Sequence, residues 1–253
     1  FGGLLVSQAV NAFTTSHPGL IPQTVNYKFV GPAHSTLPLE FKVTDFPGAN
    51  IASIRAHQGE KIVGQGHVRY TKDADYLDSS PYLCPNYIGE PEEYPDTVEL
   101  EQMMEEGRTK MFMKELNLMA LDIKPFESPL FPSTDVDRTC MWLRIKSNLQ
   151  DSLQPKDGPM VVLFFSDFAI LQIADDIYQK NKIKIKTGAS LHHSVWFHEK
   201  DFDPRAWYLT VVECHVISHG RARLESFIYN RNRKCVMTVV QEGFMQADMG
   251  PKL

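Results

Sequence analysis

The sequence predicts an α+β protein in which one unit, a helix followed by four antiparallel strands, occurs twice. The first observation is an apolar helical pattern over residues 3–16. The second is the series of four short runs behind it, which are rich in aromatic and β-branched residues and separated by glycine and proline. The third is the return of the same order, a helix and then four strands, after residue 159.

Size and charge exclude several classes of protein. A chain of 253 residues, 43% of them hydrophobic, can bury one large core or two modest ones. Its longest apolar run, MVVLFFSDFAIL, carries Asp167 and is shorter than the roughly 20 residues that a membrane-spanning helix needs. A net charge of −5 argues against a nucleic-acid groove, which would cluster Lys and Arg. We therefore expect a soluble globular protein that binds neither nucleic acid nor a membrane.

The cysteines indicate the redox compartment of the protein, and the first residues indicate whether sequence precedes them. The four cysteines are scattered without C-x-x-C spacing, which is typical of reduced thiols in a reducing compartment. The chain opens FGGLLVSQAV without an initiator Met, so we expect further sequence, including a first strand, ahead of Phe1.

The first unit is predicted over residues 1–70. Leu4, Leu5, Ala9 and Phe13 recur at helical spacing, and the segment HPG ends that helix. Four strands then follow, in the runs TVNYKFV, PLEFKVTDF, NIASIRAHQ and KIVGQGHVRY.

Residues 71–112 are predicted to connect the two units. The segment is dense in Pro, Tyr and acidic residues and shows little periodicity before a short helix near residues 98–106.

The second unit is predicted over residues 113–253. Strands near 114–124 and 139–147 come first, and one apolar helix spans about 159–178. Four strands follow, in the runs SLHHSVWFHE, AWYLTVVECHVIS, RARLESFIYN and KCVMTVVQEGFM.

Four motifs, in this order and at matching separations, resemble the acyl-CoA thioesterase II family, which includes TesB-like and peroxisomal acyl-CoA thioesterases. They are FGGLLVSQAV, FFSDFAIL, SL-x-HS-x-WFH and TVVQEGFM. The resemblance covers nearly the whole chain and implies a double hotdog fold, in which two helix-wrapped antiparallel sheets join edge to edge. It also implies hydrolysis of fatty acyl-CoA to free acid and CoA.

The same resemblance implies where the chemistry lies. In the family, three polar side chains hold a water against the thioester: an Asp after the SL, a Thr or Ser two residues after a Glu on the next strand, and the Gln of QEG. On this basis the predicted catalytic residues are His192, His215 and Gln241, a set in which two family residues have changed. The predicted substrate-binding residues are Ser166 and Asp167 at a helix start, where free backbone N–H groups face an oxyanion, and Arg221 near the CoA phosphates.

The histidines of SLHHSVWFHE also raise the question of a metal. Residues two apart in a strand share a face, so His192 and His198 point the same way but lie about 20 Å apart, too far for one ion. A zinc site would need His192, His215 and a third ligand such as Glu213 or Asp167. For His193 and His198 we favour ordinary packed strand histidines, and we expect neither a metal nor another cofactor.

Two readings of the altered set remain open. A neutral imidazole at His192 can replace the carboxylate as general base, because its ordinary pKa of about 6.5 suits proton abstraction from water. Alternatively His192, His215 and Gln241 fill the site as a hydrogen-bonded cluster without chemistry. The chain would then be an impaired paralogue that binds acyl-CoA or pairs with an active family member. A serine hydrolase is excluded because no G-x-S-x-G motif occurs.

Partners and location follow as expectations. Acyl-CoA is the expected substrate, and exposed sheet edges predict a homodimer. The final PKL resembles the peroxisomal S-K-L address, so the expected location is peroxisomal or cytoplasmic.

Overall fold

The computed structural model describes residues 2–72, 84–103, 113, 115–116, 119–127 and 138–248. Within them, ten strands form one antiparallel sheet in the order β2-β3-β4-β1-β7-β10-β9-β8-β6-β5. The strands are β1 (Ile21–Phe29), β2 (Glu40–Asp45), β3 (Ile51–Gln58), β4 (Lys61–Thr71), β5 (Leu121–Glu127), β6 (Arg138–Ile145), β7 (Ile185–Phe197), β8 (Tyr208–Ser218), β9 (Arg221–Tyr229) and β10 (Cys235–Ala247). The helices are α1 (Gly2–Ser16), α2 (Thr97–Met103), α3 (Gly158–Phe165) and α4 (Gln172–Lys180). Three 3-10 helices are Pro91–Glu93, Ser147–Ser152 and Pro155–Asp157. Residues 113, 115 and 116 are also helical.

The sheet consists of two smaller sheets that join edge to edge. β1 to β4 lie on one side and β5 to β10 on the other, and the junction is the antiparallel pairing of β1 with β7 over Thr24–Trp196 to Lys28–His192. This arrangement confirms the predicted α+β double hotdog fold. The unit boundaries at residues 70 and 113 stay a prediction.

One face of the sheet, here called the inner face, packs on α1 and α3. Val6, Ala9, Val10 and Phe13 of α1 are buried in a common hydrophobic core with apolar side chains of both smaller sheets. Burial alternates along β3 and β4, as expected for strands with one face on a core. The core therefore fixes both helices against the sheet.

The predicted helix over 159–178 is wrong in its middle. α3 ends at Phe165, a turn occupies residues 166–171, and α4 begins at Gln172. Ala169 in this turn has a φ of 56°, a left-handed conformation that cannot continue an α-helix. Leu171 leaves the turn to pack on Gly243, where a Cβ would lie 2.2 Å from Leu171 Cδ2. The glycine of the QEG motif thus makes room for the turn.

Part of the predicted connection covers the opposite, outer face of the C-terminal sheet. Cys84 and Ile88 pack in a second hydrophobic cluster with outer-face residues such as Trp142 and Tyr229. Arg231 holds this segment on the sheet by salt bridges to Glu90 and Glu92, with N–O distances of 3.1 and 2.9 Å. The predicted helix near 98–106 corresponds to α2.

Several expectations fall on other parts of the chain. Phe1, residues 73–83 and 104–112 of the connection, and the PKL terminus lie outside the described residues. Among the helices that are described, none combines the length and apolarity needed to cross a membrane.

Candidate active site

A buried group of polar side chains lies on the inner face, where α1, the turn after α3 and the strands β7 and β10 meet. It consists of Ser166, Asp167, Ser190, His193 and Gln241. Four of them are nearly inaccessible to solvent: Ser166 is 1% exposed, Asp167 6%, and His193 and Gln241 0%. Buried polar groups need partners, and each of these finds one within the group.

A β-bulge in β7 brings Ser190 into this group. β10 pairs Glu242 with His192 and the next residue, Gly243, with Ser190, so Leu191 is an extra residue in β7. A bulge of one residue shifts the side-chain alternation. Ser190 therefore shares the inner face with His193, although regular alternation would place it with His192.

Asp167 links the two halves of the chain. Its Oδ2 accepts a hydrogen bond of 2.7 Å from the backbone N–H of Gly3, in the first turn of α1. The first N–H groups of a helix have no partner inside the helix, and the helix dipole favours a negative charge at that end. The N-terminus of α1 thus stabilises the carboxylate of Asp167.

Gly2 permits this close approach. A Cβ at Gly2 would lie 2.8 Å from Phe29 Cζ and 2.9 Å from Asp167 Oδ2. Both distances are shorter than a carbon atom tolerates, so with a larger residue either the helix end or the side chains of Phe29 and Asp167 would have to shift.

Ser190 and Gln241 extend the contacts of Asp167. The Ser190 hydroxyl donates to Asp167 Oδ1 at 3.3 Å, and Gln241 Nε2 donates to Ser190 Oγ at 3.0 Å. A carboxylate, a hydroxyl and an amide therefore stand in one hydrogen-bonded row.

His193 closes the far end of the row. Its Nδ1 contacts Gln241 Oε1, and its Nε2 lies 2.8 Å from Ser166 Oγ. Burial lowers the pKa of His193, and this outweighs the opposing effects of Asp167 and Gln241. The ring is therefore neutral at neutral pH.

The row opens to solvent at a cleft of about 480 Å³ between the start of α1, the β1–β2 loop and the β7 bulge. We call it the helix-end cleft. Its lining is largely apolar and includes Leu4, Phe29, Leu39 and Leu191, while Gly2 and Ser190 bring the helix end and the polar row to its wall. The cleft has the size and lining of a small-molecule site.

His192 lies on the outer face instead. Its ring Nε2 lies 3.3 Å from Ser194 Oγ, and the residue lines a second, outer cleft of about 320 Å³ together with Val216, Arg221, Arg223 and Glu242. Gln241 borders this cleft too, but it has no exposed surface and its amide bonds to His193 and Ser190.

His215 is also on the outer face. A register shift between Cys214 and Val216 makes it a bulge residue, and its Nε2 lies 3.1 Å from Glu225 and 4.0 Å from Glu213. The three residues of the predicted group therefore lie on two faces: His192 and His215 on the outer face, and Gln241 on the inner face. Each of them has hydrogen-bond partners outside the predicted group. The catalytic roles assigned to His192 and His215 stay predictions.

The predicted substrate-binding residues divide in the same way. Ser166 and Asp167 belong to the buried row, but they follow the C-terminal end of α3, so the expectation that they begin a helix is wrong. The helix start beside this row is that of α1, whose Gly3 N–H donates to Asp167. Arg221 lies beside the outer cleft, 3.4 Å from Glu242 and stacked over Phe244 at 5.2 Å.

The sequence did not predict that Ser190 and Gly3 contact Asp167, or that His193 belongs to the same buried row. The signal for Ser190 was its place in the SL motif, one residue before the bulge. Among the described residues, no group of three or more His, Cys, Asp or Glu side chains is arranged to hold a metal ion.

A comparison with models of known protein families assigns this chain to a family. The model of the acyl-CoA thioesterase C-terminal domain matches residues 91–245, more than half of the chain. The chain belongs to this family. A comparison with curated proteins gave no significant match.

Solved structures show the same thioesterase fold. A tesB protein of Mycobacterium avium subsp. paratuberculosis is 21% identical, with a TM-score of 0.71 over 97% of this chain and 86% of that one. An acyl-CoA thioesterase II, TesB2, from Mycobacterium marinum is 18% identical, with a TM-score of 0.74 over 99% of this chain and 90% of that one. The dehydratase domain of PpsC from Mycobacterium tuberculosis, in complex with C12:1-CoA, is 10% identical, with a TM-score of 0.58 over 96% and 84%. The double hotdog is thus common to thioesterases and dehydratases.

Proposed function

We propose that the protein hydrolyses fatty acyl-CoA to the free acid and CoA, and that the reaction takes place at the helix-end cleft. The observation that carries the proposal is the row of Asp167, Ser190 and Gln241 beside an apolar cleft and the N-terminus of α1. Family membership supports the reaction class.

Asp167 is the general base in this proposal. Its carboxylate takes a proton from water while the water oxygen attacks the thioester carbonyl carbon. Ser190, which is held by Gln241, orients the water and the carboxylate through its hydrogen bonds. The tetrahedral intermediate then collapses with cleavage of the C–S bond, and the proton held by Asp167 passes to the CoA sulfur.

The first turn of α1 stabilises the negative charge that develops on the carbonyl oxygen. Gly2 and Leu4 line the cleft, and backbone N–H groups at a helix start are ready to bind an anion. Such donors are typically worth about 10²- to 10³-fold in rate. Gly3 is engaged with Asp167, so the base and the oxyanion site are held by one helix end.

The apolar wall of the cleft suits the acyl chain. Leu5, Val30 and Leu39 lie along it, and burial of a hydrocarbon chain releases about 0.8 kcal/mol per methylene group. This set of residues differs from the altered set that the sequence predicted, because it contains a carboxylate, a hydroxyl and an amide without His192 or His215.

Release of free thiol from a panel of acyl-CoAs of increasing chain length tests the proposal. We expect saturable thiol release by the purified protein, with the acid as the second product. Tight binding of acyl-CoA without thiol release would refute hydrolysis and would support the alternative of an acyl-CoA-binding paralogue.

A further inference from the structure

The direction of the hydrogen bonds in the buried row can be worked out from its chemistry. A carboxylate only accepts, so the single hydrogen of Ser190 points to Asp167 Oδ1. Ser190 Oγ then has no hydrogen for Gln241. The amide of Gln241 must therefore turn its Nε2 to Ser190, at 3.0 Å, and its Oε1 to His193.

The orientation of Gln241 decides the tautomer of His193. Oε1 is an acceptor, so the ring nitrogen that contacts it, Nδ1, must carry a hydrogen. The neutral ring then leaves Nε2 bare, and Ser166, 2.8 Å away, is the group that donates to it. Ser166 Oγ also lies 2.7 Å from the carbonyl oxygen of Leu163. Because the hydroxyl has only one hydrogen, it cannot donate to that oxygen while it donates to His193 Nε2.

We propose that His193 is a positioning residue, which as the neutral Nδ1–H tautomer holds the amide of Gln241 in the orientation that donates to Ser190 and, through it, supports Asp167. The proposal rests on the proposed function of Asp167. Four hydrogen bonds then run in one direction, from Ser166 through His193, Gln241 and Ser190 to the carboxylate. A flipped amide would place two acceptors together at Ser190 and break the row.

The surroundings of His193 agree with a fixed neutral ring. It has no exposed surface, and the charged or titratable groups whose effects it feels are Asp167 and His192. Tyr27 faces His193 in the pairing of β1 with β7 and is buried as well. Burial raises the pKa of the Tyr27 phenol, so this group stays neutral too.

The tautomer can be observed without any activity assay. Protonated and bare imidazole nitrogens differ widely in ¹⁵N chemical shift, so histidine-labelled protein reports both nitrogens of His193 at neutral pH. The signal is assigned by its loss in His193→Asn. We expect a protonated Nδ1 and a bare Nε2; a bare Nδ1, or a ring protonated on both nitrogens, would overturn the proposal.

A matched pair of variants tests the positioning role. His193→Asn places an amide N–H where Nδ1 was and can still donate to Gln241, whereas His193→Leu has a similar size and no donor. We expect the Leu variant to lose about 30-fold in kcat, with KM changed less than about twofold, and the Asn variant to stay within about fivefold of wild type. Equal losses in the two variants would overturn the proposal.

Controls separate this outcome from failure of the proposed function. His198→Asn changes the histidine that directly follows β7 and whose Nε2 lies 2.9 Å from Thr238 Oγ1; it should leave kcat within about twofold. Melting temperatures of the His193 variants show that each is folded at the assay temperature; the Leu variant should be the less stable, because it leaves the buried amide of Gln241 without its donor. A wild type that releases no thiol but shows the Nδ1–H tautomer would refute hydrolysis and leave the hydrogen-bond order intact.

Discussion

His192 and His193 are neighbours in the chain and lie in different environments on the two faces of β7. His193 has no exposed surface and joins a row of hydrogen bonds that ends at Asp167. His192 lines an open cleft with charged side chains around it. The resemblance points to β7, and the bulge at Leu191 decides which side chains of that strand lie beside the buried carboxylate.

The two faces also differ in how much free energy their polar contacts contribute. On the outer face, Arg223 pairs with Glu225 at 2.6 Å with about half of the arginine side chain exposed, and exposed ion pairs contribute about 0–1 kcal/mol. On the inner face the contacts are shielded from water, so breaking one leaves a buried polar group without its partner, at about 1–3 kcal/mol. We therefore expect substitutions on the inner face to have much the larger effects.

The largest effect is expected for Asp167→Asn. The amide keeps the size of the carboxylate but cannot take a proton, so kcat for thiol release should fall about 10³-fold, or about 4 kcal/mol. Asp151→Asn, which changes an exposed carboxylate in the 3-10 helix Ser147–Ser152, is the matched control and should stay near wild type. Retention of more than one tenth of the activity in Asp167→Asn would remove it as the base.

Ser190 should come next. Ser190→Ala removes the hydroxyl between Gln241 and Asp167, and we expect a fall of about 10² in kcat. Ser190→Thr keeps the hydroxyl and should stay within about fivefold of wild type. The steady-state kinetics of the pair checks this, and equal effects of Ala and Thr would mean that the hydroxyl is not needed.

Gly2→Ala should have a moderate effect. The added Cβ would meet Phe29 and Asp167 and displace the first turn of α1, so kcat should fall about tenfold. Circular dichroism at rising temperature should show only a small loss of stability, because the change is at a helix end. Unchanged kinetics would contradict a role of this helix end at the thioester.

The smallest effect is expected on the outer face. His192→Asp combined with His215→Thr restores the residues that the resemblance predicts for the family, and we expect kcat to change less than about threefold. A gain of tenfold or more would show that His192 and His215 occupy the catalytic positions, as the resemblance implies, and that the outer face carries the chemistry.

The sequence predicts regular elements well and irregular ones poorly. The helix over residues 3–16 and most strands of both halves follow from periodicity and turn residues, and the structure places them within about five residues. The strand predicted near 114–124 is an exception, because residues 113, 115 and 116 are helical and β5 begins at Leu121. The bulges at Leu191 and His215 carry no such signature, because each is an interruption of the alternation from which faces are read.

The same limitation applies to the turn after α3. Phe168 and Ile170 are buried and apolar, so the segment reads as a continuous apolar helix, and only the left-handed Ala169 interrupts it. That turn carries Ser166 and Asp167. The sequence singles out Ser166 and Asp167 but predicts them at the start of a helix, whereas they follow the C-terminal end of α3.

A crystal structure with a non-hydrolysable thioether analogue of acyl-CoA shows at which of the two clefts the reacting group lies. We expect the acyl chain in the helix-end cleft, with the atoms around the sulfur beside Ser190 and the first turn of α1. An analogue bound in the outer cleft, with its sulfur beside His192 and Arg221, would contradict this expectation.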